Sequence, residues 1–108
     1  MTQIEKSKYD KILKDAIGED GLWFCLNALQ EESAELIQSI NHLRRERAEI
    51  GEVLMEMADV QIMLDMCRVG IEDVSGFDDH IERKMSVIGA SISFKKGKRK
   101  KGGGNENA

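Results

Sequence analysis

The chain has 108 residues, no proline, six methionines and a net charge of −4, which bounds it to one modest domain of helical leaning. No apolar stretch approaches the roughly 18 residues of a membrane span and no charged-then-apolar leader is present, so we expect neither, and a cytoplasmic protein. The charge is unevenly spread: "KKGKRKK" (95–101) carries 6 of the 16 bases, and residues 1–94 hold 10 bases against 19 acids, a net of −9, a body unsuited to nucleic acid and suited to divalent cations.

In chain order, "TQIEKSKYDKILKDAI" (2–17) predicts a first helix, with Thr2 and Glu5 spaced as a capping box. Gly18 and Gly21 flank an acidic turn. From Leu22 to about Arg47 a long helix is expected, because Leu26, Leu29, Leu36, Ile37, Ile40 and Leu43 recur at steps of three and four. It should end in the charged "RRERAE". Residues 50–69 are apolar on most of the helical circumference, which places them centrally in a bundle or at an oligomer interface. A fourth helix is predicted from Phe77 to Ile92, with Ser75 as its cap. From Lys95 the Lys/Gly-rich "KKGKRKKGGGNENA" has nothing to bury and is expected to be disordered. Cys25 and Cys67 sit in apolar surroundings without CxxC spacing, and read as reduced core thiols.

The informative residues are acids. A surface glutamate on a helix usually has a base three or four positions away, as Glu49 has Arg45 and Asp65 has Arg68. Glu31, Glu32, Glu35, Glu56 and Asp59 have none. Glu31 and Glu35 instead face each other at i,i+4, and Glu32/Glu35 and Glu56/Asp59 at i,i+3. Each such like-charge pair destabilises an isolated helix by a few tenths of a kcal/mol. Asp59 is moreover bracketed by Met57, Ala58, Val60 and Ile62. A partly desolvated carboxylate takes up a proton or finds a cation, and acids converging from two antiparallel helices can share a divalent ion. Oxygen-only ligands favour Mg²⁺ or Mn²⁺ over zinc. Neither His42 nor His80 follows a glutamate by three positions, so the di-iron pattern is excluded. Mg²⁺ held in this way recruits phosphate oxygens of a substrate.

These residues also carry a resemblance. "EESAE" (31–35), a 20-residue gap and "EMAD" (56–59) match Glu-Glu-x-x-Glu followed by Glu-x-x-Asp. This is the signature of the all-α nucleoside triphosphate pyrophosphohydrolases, and the chain resembles their MazG-like branch. "LIQSINHLRRER", "ADVQIML" and "IERKM" in the last helix agree with it, and the resemblance spans about residues 22–88. It implies an enzyme in which magnesium bridges protein carboxylates and the triphosphate, while a metal-bound or carboxylate-oriented water attacks the α-phosphorus. Nucleoside monophosphate and pyrophosphate are the products. By position, Glu32, Glu35, Glu56 and Asp59 would be metal ligands, and Glu31 would hold a second metal or orient the water. Met55 stands where members often carry a second acid beside Glu56, with Glu52 one turn earlier.

Lys84 is the first choice for a substrate-phosphate contact, with Arg44 or Arg45 behind it. Asn27, four residues before Glu31, could touch sugar or base, whereas Trp23 reads as core or interface before it reads as a base platform. Together these readings predict an all-α, four-helix bundle-like MazG-type domain over 1–94 and a disordered basic tail over 95–108. The domain would associate into a homodimer or homotetramer through its two long helices, as the family does. The expected function is Mg²⁺-dependent hydrolysis of nucleoside triphosphates. Two rivals are a non-catalytic helical adaptor that uses its basic tail, and a degenerate member that senses nucleotide without turning it over.

Overall fold

The computed structural model describes the backbone of residues 5–19 and 21–106 and the side chains of 5–19 and 21–98. It contains α1 (Lys6–Ile17), α2 (Gly21–Arg44), α3 (Ile50–Gly70) and α4 (Ser75–Glu106), and no strand among the described residues. The described residues are all-helical with four helices, and the helical class is the one the composition predicts.

On α1, Thr2 lies outside the described residues, and Glu5 is itself the N-cap, in extended conformation and without a side-chain capping bond. The expected capping box would have needed Glu5 one turn inside the helix. The outer face carries the ion pairs Lys6–Asp10 (3.1 Å) and Lys11–Asp15 (2.8 Å). Both are exposed and add little. The inner face buries Leu13 and Ile17. Gly18 then turns the chain at a φ of 61°, its N–H reaching the Lys14 carbonyl at 3.4 Å.

Helix α2 stops at Arg44, three residues before the expected end at Arg47, because Glu46 adopts the left-handed conformation (φ 58°). The Glu46 N–H bonds the Leu43 carbonyl at 3.0 Å and the Arg47 N–H the His42 carbonyl at 2.8 Å. These are the two bonds of a Schellman cap, with glutamate where glycine is usual. An L-residue there costs roughly 1–2 kcal/mol, against about 0.5–1 kcal/mol of extra chain entropy for glycine. Glu46→Gly is therefore expected to stabilise the protein by up to about 1 kcal/mol; a lower melting temperature by calorimetry would contradict this.

After the turn, α3 returns antiparallel along α2. Cys25 lies against Met66, its thiol 3.6 Å from the Met66 carbonyl, and Glu35 lies against Glu56. Ser39 and Glu52 line one cleft. In each pair the residue numbers add to 91, which defines the register. Helix α1 closes the end of this hairpin far from the turn. The core there comprises Leu13 and Ile17 of α1, Cys25 of α2, and Met66 and Cys67 of α3, with Tyr9, Leu26, Leu29, Ile62 and Met63 packed around them. Both cysteines are buried free thiols, and burial first, then the neighbouring Cys25, pushes the Cys67 thiol above its usual range. Of the apolar stripe predicted on α2, Leu26 and Leu29 join the core, whereas Ile37 and Ile40 are exposed.

Tyr9 of α1 donates its hydroxyl proton to Asp65 of α3 at 2.8 Å, and Gln61 donates to the other carboxylate oxygen at 3.0 Å. Asp65 thus ties α1 to α3. Burial and this bond push the Tyr9 phenol up to about 12. A folded-state value above the unfolded one means that the contribution is complete below about pH 10 and disappears as pH rises through 12. Tyr9→Phe is expected to cost about 1–2 kcal/mol at neutral pH. Urea titrations should show that difference narrowing above pH 10; a constant gap up to pH 12 would mean the bond carries no stability.

The chain divides into two units, residues 1–72 with α1, α2 and α3, and residues 73–108 with α4. Within its own unit α4 has only its own turns for neighbours. Ser75, predicted as a cap, is already the first residue of α4; it donates its N–H and hydroxyl to Asp73 Oδ1 at 3.0 and 2.8 Å. Those two bonds hold the Asp73 carboxyl below its usual range. The helix passes Ile92 and continues to Glu106, through the segment expected to lack structure. Lysine and arginine are good helix formers, and extending a helix is far easier than nucleating one.

Candidate functional site

The α2/α3 register explains how the acids meet. Positions 32 and 35 of α2 lie one turn apart on the face that α3 covers, and position 56 of α3 comes opposite. One carboxylate oxygen from each of Glu32, Glu35 and Glu56 lies within 4.8 Å of the other two. Glu32 and Glu56 are half-buried and Glu35 is exposed. Glu32 Oε2 and Glu56 Oε2 are out of solvent and have no hydrogen-bond partner.

Desolvation first, then the Glu35 charge, pushes the Glu32 carboxyl above its ordinary range, with Asp59 and Glu56 adding to it. Glu56 is raised in the same way, by desolvation, then by Glu35 and Asp59. The nearby hydroxyl does not relieve them, since Ser39 Oγ donates to the Leu36 carbonyl at 2.8 Å. Three acceptor-only groups sharing one space without a donor are stabilised by a proton or by a cation. The donor set, oxygen alone with two unpartnered atoms, fits a hard divalent ion such as Mg²⁺.

An open cleft of about 490 Å³ adjoins the trio, lined by Glu35, Gln38, Ser39, His42, Glu52, Met55 and Glu56. Gln38, Ser39 and His42 were not among the predicted site residues, although they follow Glu35 at i+3, i+4 and i+7 on the same helical face. That spacing was the available signal. Met55 and Glu52 both reach this cleft, Met55 as a 68 % exposed side chain.

The remaining predicted residues take other places. Asp59 stands half-buried one turn beyond Glu56, where its charge acts on Glu32 and Glu56, but its oxygens are not part of the close trio. Glu31 is exposed, outside the trio, and lines a separate open depression of about 470 Å³ with Trp23, Phe24, Asn27 and Ala28. Trp23, Asn27 and Glu31 succeed each other every four residues, so they form one row along α2. Trp23 is 69 % exposed, which excludes the core half of its reading as core or interface and leaves the interface half. Arg45 is exposed just beyond the end of α2, and Lys84 is exposed on α4 in the second unit.

No protein-family model, curated protein or solved structure matches the chain. The site therefore rests on its own geometry.

Proposed function

We propose that this chain is a Mg²⁺-dependent nucleoside triphosphate pyrophosphohydrolase of MazG-like type, cleaving a nucleoside triphosphate to monophosphate and pyrophosphate. The observation that carries the reading is the trio Glu32, Glu35 and Glu56, brought from two helices with desolvated, unpartnered oxygens on two of its members. The motif spacing supports it independently.

In this reading Glu32, Glu35 and Glu56 hold the ion, and Asp59 adds charge or a ligand from the next turn of α3. When bound, Mg²⁺ neutralises phosphate charge and lowers the pKa of water at the α-phosphorus. Glu31, exposed and outside the trio, would hold a second metal or orient the attacking water. Asn27 and Trp23, in its row, contact sugar and base. Arg45, in the same unit as the trio, supplies positive charge to the phosphates. The protein acts in the cytoplasm as a homodimer or homotetramer, and the exposed Ile37, Ile40, Leu54 and Met57 of the two long helices supply apolar surface for an interface.

The test is pyrophosphate release from the ribo- and deoxynucleoside triphosphates and dUTP, with Mg²⁺ or with EDTA, for wild type and Glu35→Gln. Metal-dependent release that the substitution abolishes is the expected result. Nucleotide binding without release from any substrate would replace the enzyme by a sensor, and neither binding nor release would favour the adaptor.

A further inference from the structure

Helix α4 is described from Ser75 to Glu106, yet all of its described side chains are exposed, and its unit contains no second element. In proteins most helical stability comes from packing an apolar face rather than from propensity, and this helix carries the poor helix formers Gly89 and Gly97. Its apolar residues are nonetheless ordered. Ile81, Met85, Ile88 and Ile92 follow at steps of four, three and four, and are 47, 59, 41 and 49 % exposed. That is the a/d spacing of a coiled-coil seam.

The two ends of α4 differ in charge. Asp78, Asp79 and Glu82 lie in its first turns, followed by Arg83 and Lys84, while Lys95, Lys96 and Lys98 follow the seam with no acid among them. A parallel copy would set acids against acids and lysines against lysines. An antiparallel copy sets each end against its opposite. The seam also closes in that orientation. Ile81 of one chain falls opposite Ile92 of the other, and Met85 opposite Ile88, so that all four layers pair an a with a d position. Lys95, Lys96 and Lys98 then lie alongside the acidic first turns of the second copy's α4.

We propose that α4 is a self-association element that pairs antiparallel with α4 of a second copy of this chain. The pairing does not depend on the enzymatic reading. It supplies a two-fold interface distinct from the one suggested for α2 and α3, and two such interfaces close into a tetramer when their axes meet at right angles.

The test is the solution mass of the full chain by light scattering, for wild type and for Ile81→Lys/Ile88→Lys. Circular dichroism establishes that the variant keeps its helix-rich fold. Wild type should be a dimer or tetramer, and the variant should show half its mass. Orientation is read by disulfide trapping, since the native Cys25 and Cys67 are buried. An equimolar mixture of Ile81→Cys and Ile92→Cys proteins should cross-link, and Ile81→Cys alone should not. A monomeric wild type, a folded variant of unchanged mass, or cross-linking of Ile81→Cys with itself would each overturn the proposal. Raising salt to about 1 M should weaken the pairing, because the end charges are exposed.

Discussion

Glu35→Gln is expected to melt several degrees above wild type in EDTA and to release pyrophosphate at least about 100-fold more slowly with Mg²⁺, on the scale of losing one charge-stabilising group from a transition state. The two effects have one cause. Glu35 is the charge that helps to raise both Glu32 and Glu56, so neutralising it relieves the metal-free cluster. It also removes a ligand oxygen from the trio. The pH dependence separates these effects from a general change in packing. A folded-state carboxyl raised above its unfolded value contributes stability that is complete below the unfolded pKa and is lost as pH rises through the folded one. Metal-free wild type should therefore gain on the variant as pH falls from 7 towards 5, and Mg²⁺, which needs the deprotonated carboxylates, should reverse the order at neutral pH. Differential scanning fluorimetry over that range, with EDTA and with Mg²⁺, tests both. A variant that melts lower at every pH would show that the three acids do not repel one another.

The second large effect is structural. Gly70 ends α3 where α1 and α2 converge, and a Cβ added there would stand 2.6 Å from Cys25 Sγ and 3.3 Å from Ile17 Cδ1. The sulfur is the nearer obstacle and belongs to a fully buried side chain too short to swing away. Overpacking of this kind costs about 1–3 kcal/mol, more than alanine's helical preference of about 1 kcal/mol over glycine returns. Gly70→Ala should accordingly lower the melting temperature by roughly 5–10 °C, and Gly70→Ala/Cys25→Ala should recover part of the loss, because the second change vacates the sulfur's place. Equal losses in the single and double variants would show that the clash is not the cause.

Helical periodicity made most of the fold legible. The bounds of α3 agree with its apolar run to within a residue, and like-charge spacing marks Glu31, Glu32, Glu35, Glu56 and Asp59, of which Glu32, Glu35 and Glu56 come close together. What was not legible depended on contacts between elements. The end of α2 turns on Glu46, a residue with no helix-stopping signature, held in a glycine conformation by two backbone bonds. Neither the tie from Tyr9 to Asp65 nor the close approach at Gly70 has a local signal, since each joins residues more than 40 positions apart. Around α2, the sequence placed Glu31 with its neighbours Glu32 and Glu35, but one helical step turns a side chain by about 100°. That rotation puts Glu31 in the row of Trp23 and Asn27. The same rotation brought Ser39 and His42 into the cleft unannounced.

The antiparallel register of α2 and α3 has a consequence for how this chain can change. The pairing is anchored by side-chain packing at the far end of the hairpin, where Cys25 meets Met66, and not by the connection between the helices. Residues could be gained or lost around Arg47–Glu49, altering the sequence distance between the two acidic halves, while the carboxylates kept their places. A single residue inserted between Cys25 and Glu32 would instead swing every acid of α2 to another face. The tolerance of the site to insertion and deletion is therefore set by position along the hairpin, wide at the turn and almost nil in the stretch of about two turns that separates anchor from acid.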